Sequence, residues 1–247
     1  NYCSCLLRVD FTITIQICKI MINHFASDNK KIAEILIITS YPPRECGIAT
    51  YSQDLVTALN NKFNGPFRIK ICAVENNSEN HSYPDKTAYI LNTDEPGSFS
   101  NLAMNINNNP RISLVVIQHE FGFYKNLQDD FLLFIEAVKK PVITAFHTVI
   151  PKPAASLKNV VNKICTASES IIVMTNDSAK ILSVEYNIPK EKITVIPHGT
   201  HLVPHTDKEQ LKHKYNLAGK QVLSTFGLLS SGKSIETTLY ALPEITR

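Results

Sequence analysis

Tryptophan is absent from the 247 residues, no C-x-x-C pair occurs, and the net charge is only +3. No apolar stretch approaches the ~20 residues that cross a bilayer. Each absence narrows the function. Lysines and arginines are scattered and no basic run is interleaved with aromatic residues, so the expectation is that no nucleic acid takes part. The six cysteines (Cys3, Cys5, Cys18, Cys46, Cys72 and Cys165) support neither a disulfide framework nor a zinc knuckle. They fit a reducing, cytoplasmic compartment. No H-E-x-x-H is present; His198, His201 and His205 lie close together, but Pro204 breaks any helix that would align the last two. A loop is expected there and no metal site. With 44% hydrophobic and 19% charged residues, what remains is an ordinary globular chain, long enough for one large domain or one and a half.

The first 31 residues look foreign to the rest. The chain starts without methionine, and 11–22 alternates like a strand but is broken by Gln16 and Lys19. Met21 is the expected true start, and 1–31 is expected to be an extension outside the fold. A signal peptide is disfavoured, because no small-residue cleavage site follows the apolar part. From residue 35 onward, apolar runs and helical patterns alternate. Strands are expected at 35–39, 67–74, 87–91, 112–118, 142–146, 171–175 and 193–196, with helices at 48–63, 98–108, 128–139, 154–168 and 177–186. Uninterrupted apolar strands of this kind are buried on both faces. The alternation therefore predicts an α/β fold with a doubly wound, Rossmann-like parallel sheet over 32–202, followed at 203–247 by a linker and the start of a second such domain.

Ligands of doubly wound sheets bind beyond the carboxyl ends of the strands. The unusual residues gather there: Arg44 and Gly47 after the first strand, His119 and Glu120 after 112–118, His147 after 142–146, and His198 and Gly199 after 193–196. A further stretch, 222–233, reads as strand then glycine loop, with Gly227, Gly232 and Lys233 ahead of a helix from Ser234. Backbone N–H groups, a helix N-terminus and an ammonium aimed at one point suit a phosphate. By spacing this loop satisfies G-x-x-x-x-G-K-[ST], the nucleoside-triphosphate P-loop. A P-loop enzyme, however, opens its domain with this element and needs an acidic strand end downstream. A sugar-nucleotide enzyme whose lysine neutralises the donor diphosphate is the preferred reading. A P-loop NTPase and a non-catalytic sugar-nucleotide or phosphate-binding module are the alternatives.

Five segments in order carry a resemblance: ITSYPPRECGIATYSQDL at 38–55, QHEFGFY at 118–124, AFHT at 145–148, ITVIPHGTH at 193–201 and FGLLSSGKSIETTLYALPEI at 226–245. The chain resembles the retaining glycosyltransferases of family four, which have the GT-B architecture of two Rossmann-like domains facing across a cleft. The resemblance implies transfer of a sugar from a nucleotide diphosphate donor to a hydroxyl of a carbohydrate or lipid-linked acceptor, with retention and with no cofactor or obligatory metal. It also admits peripheral membrane contact. By match, Gly47, Gly227 and Lys233 would border the donor diphosphate and His147 would be catalytic; Arg44, His119 and Glu120 are assigned to the acceptor side, His198 and Gly199 to the hinge. Cys46 stands where a second glycine is common, Leu228 replaces the usual arginine, and Ser234 replaces the glycine after the lysine. The family's E-x7-E motif is expected further into the second domain. Glu236 and Glu244 only mimic its spacing and read as a solvated helix face. On this reading the chain is a fragment, inactive by itself.

Overall fold

In the computed structural model, residues 32–199 (except 64, 66 and 85), 206–225 and 233–245 are described. The apolar runs become seven strands: β1 (Ala33–Thr39), β2 (Phe67–Glu75), β3 (Thr87–Asn92), β4 (Ile112–His119), β5 (Val142–Phe146), β6 (Ser170–Val173) and β7 (Ile193–Val195). They form one sheet in the order β3-β2-β1-β4-β5-β6-β7, and every pairing is parallel. Parallel neighbours need crossovers, and the helical patterns supply them. These are α1 (Gly47–Lys62), α2 (Ser98–Asn108), the short α3 (Phe121–Tyr124), α4 (Gln128–Ala137), α5 (Ala155–Ala167) and α6 (Asn176–Glu185). The result is an α/β, Rossmann-like fold. Strand order reverses between β1 and β4, which makes that crevice the topological switch point.

Both faces of the sheet are packed, as the uninterrupted apolar strands require. All residues of β1 and β5 are buried. Because side chains alternate along a strand, Leu36 and Ile38 join one core with Phe99, Phe131, Phe134 and Phe146. Ile35 and Ile37 join the other, with Val56 and Leu59 of α1.

One pair of polar groups buried against this sheet satisfies itself. Thr144 Oγ1 lies 2.8 Å from Ser168 Oγ, and Ser168 Oγ donates to Ile164 O at 2.8 Å. Ser168 spends its proton on the carbonyl, so Thr144 must donate to it. Ser168→Ala should therefore leave a buried hydroxyl unpaired and cost about 1–3 kcal/mol in urea denaturation. Adding Thr144→Val should recover most of that loss, and no recovery would contradict the pairing.

The contacts divide the chain into two units, Asn1–Thr200 and His201–Arg247. In the second, α7 (Lys208–Lys214) and α8 (Ile235–Ile245) are helical. The first of these lies where a linker was expected. Its cap is Asp207, whose side chain accepts from the backbone N–H groups of Glu209 and Gln210. The strand expected from Val222 does not form: 221–225 is irregular, and Val222 and Leu223 are exposed. A parallel strand is stable only with a paired neighbour, and the described part of this unit contains no strand. The extension at 1–31 with its start at Met21, and the loop residues Gly227 and Gly232, lie outside the described residues.

Candidate functional site at the carboxyl ends of the strands

After β1 the chain turns through a cis Pro42–Pro43 bond into the 16-residue helix α1. Cys46 caps that helix, its Sγ accepting from Ala49 N at 3.4 Å. No acidic residue occupies the first turn, so the partial positive charge of the helix end is not offset by its own side chains. A Cβ on Gly47 would meet nothing within 4 Å. Packing within the chain therefore does not demand glycine there. Arg44 is tied down on three sides: Nε pairs with Glu79 Oε1 at 2.8 Å, Nη1 donates to Val74 O at 3.2 Å, and the guanidinium lies 5.2 Å from the Phe123 ring centroid. Its charge is already matched by a carboxylate.

Adjacent residues on β4 face opposite ways, and this decides what His119 can do. Its ring is 2% exposed, enclosed by Phe121, Tyr124, Phe131 and Phe146 with centroids 4.8 to 5.6 Å away. Burial, with a smaller contribution from His147, lowers its pKa to about 3. The acceptor-side contact expected of His119 is corrected accordingly: the ring is a core group and does not reach the rim. Its carbonyl does, accepting from His147 N at 3.0 Å. Glu120 is a strut. Its Oε1 accepts from Phe121 N at 3.0 Å to cap α3, and its Oε2 accepts from Thr148 Oγ1 at 2.6 Å to tie β4 to the segment after β5.

His147 is the most constrained group on the rim. Its Nε2 lies 2.8 Å from Gln118 Oε1, its ring meets Tyr51 edge-on at 5.1 Å, and the His198 centroid is 6.0 Å away. Tyr51 meets His198 edge-on at 5.1 Å as well. Burial first, and then the neighbouring His198, hold His147 down to about 4, so the imidazole is neutral at physiological pH. Burial also pushes the Tyr51 phenol up to about 12. His198 and Gly199 are exposed.

Gln118 and Tyr51 are the residues that the pattern reading passed over. Gln118 ends an otherwise apolar run, which was the available signal. Tyr51 falls inside the helix expected at 48–63, and only the packing of that helix brings it to His147. In the second unit Lys233 is exposed immediately ahead of α8, and Ser234 has φ +48° outside the helix. Among the described residues no three His, Cys, Asp or Glu side chains converge as a metal centre would require. No helix among them is long and apolar enough to cross a membrane. A concavity of about 490 Å³ lies at the opposite, amino-terminal end of the sheet, lined by Glu34, Arg68 and Arg111 among others. There Glu34 and Arg111 face each other at 3.7 Å, and doubly wound sheets bind ligands at the other end.

No family model and no curated relative matches the chain. Among solved structures it is similar to a glycosyltransferase from Rickettsia africae ESF-5, at 18% identity and TM-score 0.49, over 77% of this chain and 51% of that one. It is also similar to an alpha-glucosyltransferase in complex with UDP-glucose and DNA containing an abasic site, at 12% identity and TM-score 0.43, over 68% of this chain and 42% of that one. A third likeness is to an alpha-glucosyltransferase in complex with UDP and a 13-mer DNA containing a central A:G mismatch, at 8% identity and TM-score 0.41, over 58% and 37%. All three are glycosyltransferases. The chain spans between about a third and a half of their lengths. Two of them hold DNA, so the exclusion of nucleic acid drawn from composition does not stand. Scattered lysines and arginines say nothing of charge that folding gathers on one surface.

Proposed function

We propose that the chain belongs to a glycosyltransferase that moves a sugar from a nucleotide diphosphate donor to a hydroxyl acceptor, with the first unit carrying the acceptor side. The observation that carries this reading is His147. A neutral imidazole is held by Gln118, Tyr51 and His198 at the carboxyl edge of the sheet, as a group that must meet a sugar hydroxyl in one orientation would be. In the reaction the bond from the sugar's anomeric carbon to the diphosphate oxygen breaks, a bond to the acceptor oxygen forms, and the acceptor's proton leaves. Charge builds on the departing diphosphate. Lys233, Gly227 and the N–H groups near Gly47 are the groups assigned to it, which supply in kind what the step requires without a metal. Arg44 and Glu120 shape the acceptor side, and His198 with Gly199 the hinge. Retention rests on the family resemblance.

The P-loop alternative loses ground on one observation. In that motif the hydroxyl residue after the lysine belongs to the opening of the helix, whereas Ser234 stands in the left-handed region and α8 begins at Ile235. Release of nucleoside diphosphate from common nucleotide sugars, measured on the whole protein with and without a chelator, tests the proposal. Acceptor-dependent release that survives chelation is expected; magnesium-dependent hydrolysis of nucleoside triphosphates, or binding without turnover, would replace it. Lys233→Ala should weaken nucleoside diphosphate binding by about 1.5–3 kcal/mol in calorimetry. Ser234→Ala should leave turnover unchanged.

A further inference from the structure

A neutral histidine offers one nitrogen as a donor and the other as an acceptor, and which is which decides what it can do to a hydroxyl. We propose that Gln118 is a positioning residue that locks His147 in the Nε2–H form, leaving the Nδ1 lone pair as the atom that meets the ligand. The proposal deepens the transferase reading, and depends on it only for the ligand being a sugar hydroxyl.

An amide oxygen has no proton to give, so the 2.8 Å contact between Gln118 Oε1 and His147 Nε2 places the proton on Nε2. Gln118 is 1% exposed and pairs with Ala145 in the β4–β5 register, which fixes where its amide stands. The main chain fixes His147 in turn, because its N–H continues that ladder to His119 O. Among the described residues no hydrogen-bond partner meets Nδ1. The titratable groups against the ring are Tyr51 from α1, His198 after β7 and His119 on β4, and none of them carries negative charge to draw a second proton onto it. The carboxylate that follows β4, that of Glu120, is engaged by Phe121 N and Thr148. His147 therefore accepts at Nδ1 and does not donate. A hydroxyl bound there is drawn toward giving up its proton, which is what an attacking acceptor oxygen must do.

Long-range proton–nitrogen correlation spectra of the ¹⁵N-labelled chain read the tautomer directly. The expected pattern is Nε2–H at pH 7 with no titration midpoint above pH 5. Gln118→Glu places a carboxylate at the same nitrogen and should raise the midpoint above the ordinary 6.5. Gln118→Leu removes the acceptor and should yield a mixture of tautomers. An Nδ1–H pattern in the wild type, or a tautomer unchanged in Gln118→Leu, overturns the proposal. Should either variant fail to fold, the wild-type spectrum decides alone. In the whole protein Gln118→Leu should lower kcat about 10-fold with donor KM unchanged, a fraction of what a proton-transfer group contributes. If the tautomer is as stated but His147→Ala leaves transfer intact, the transferase role of His147 fails while the positioning stands.

Discussion

Replacing His147 with alanine should lower sugar transfer by the whole protein about 10²–10⁴-fold, the range lost with a group that handles a proton in the transition state. The loss should fall on kcat. Donor binding is assigned to the diphosphate contacts of Lys233 and its loop, which the substitution does not touch, so the nucleotide Kd should stay within error. The fold should survive, because the ring stands at the edge of the sheet and its removal takes away only one hydrogen bond, to Gln118, an edge-on contact with Tyr51 and a tilted contact with His198. That separation matters for reading the experiment. If Tm falls by many degrees together with activity, the result reports stability; unaltered Tm with unaltered turnover sinks the catalytic assignment. His147→Gln adds a useful intermediate, since its side-chain oxygen could accept from a hydroxyl while holding no proton at neutral pH. It should retain more activity than alanine and lose the acid limb of the pH profile.

The sheet was readable because its central strands are buried on both faces and so carry few polar residues: 142–146 was expected and found, and the runs at 35–39 and 112–118 needed only one or two residues at their ends. The site was less readable, because it depends on which face a residue takes and on what packs across from it. His119 and Gln118 differ by one position, yet one ring is enclosed by four aromatic residues and the other side chain meets His147. Tyr51 shows the same dependence from the helix side, being an apolar position by period and a flank of the rim by packing. The short α3 lies below the length at which periodicity registers, and its start is set by the Glu120 side chain. At Val222 the failure ran the other way. A run of strand-forming residues is a strand only when another strand accepts its hydrogen bonds.

Acidification should destabilise the first unit well above the range in which carboxylates titrate. His119 and His147 are held at about 3 and about 4 by burial, against about 6.5 in an unfolded chain. Between those limits the unfolded state binds more protons than the folded one, so stability rises with pH and falls as the solution is acidified below about 6.5. Each histidine contributes a slope of up to about 1.4 kcal/mol per pH unit. The contribution of His147 ends near pH 4 and that of His119 continues to near 3. Asp94, lowered by its hydrogen bonds with Asn126 and Asn77, works below the ordinary carboxylate value of 3.8. The interval from 6.5 to 4.5 therefore belongs mainly to the histidines. Urea denaturation followed by circular dichroism at pH 7, 6 and 5 should show a steady loss over this interval. His119→Phe isolates one of the two contributions, because phenylalanine suits the aromatic enclosure and the buried Nδ1 it replaces has no hydrogen-bond partner among the described residues. At pH 7 the larger phenyl ring should cost at most about 1–3 kcal/mol against the wild type, and by pH 5 the difference should move in the variant's favour. Equal stability of wild type at pH 7 and pH 5 would show that the two rings protonate freely in the folded chain, and would contradict the burial that holds them neutral.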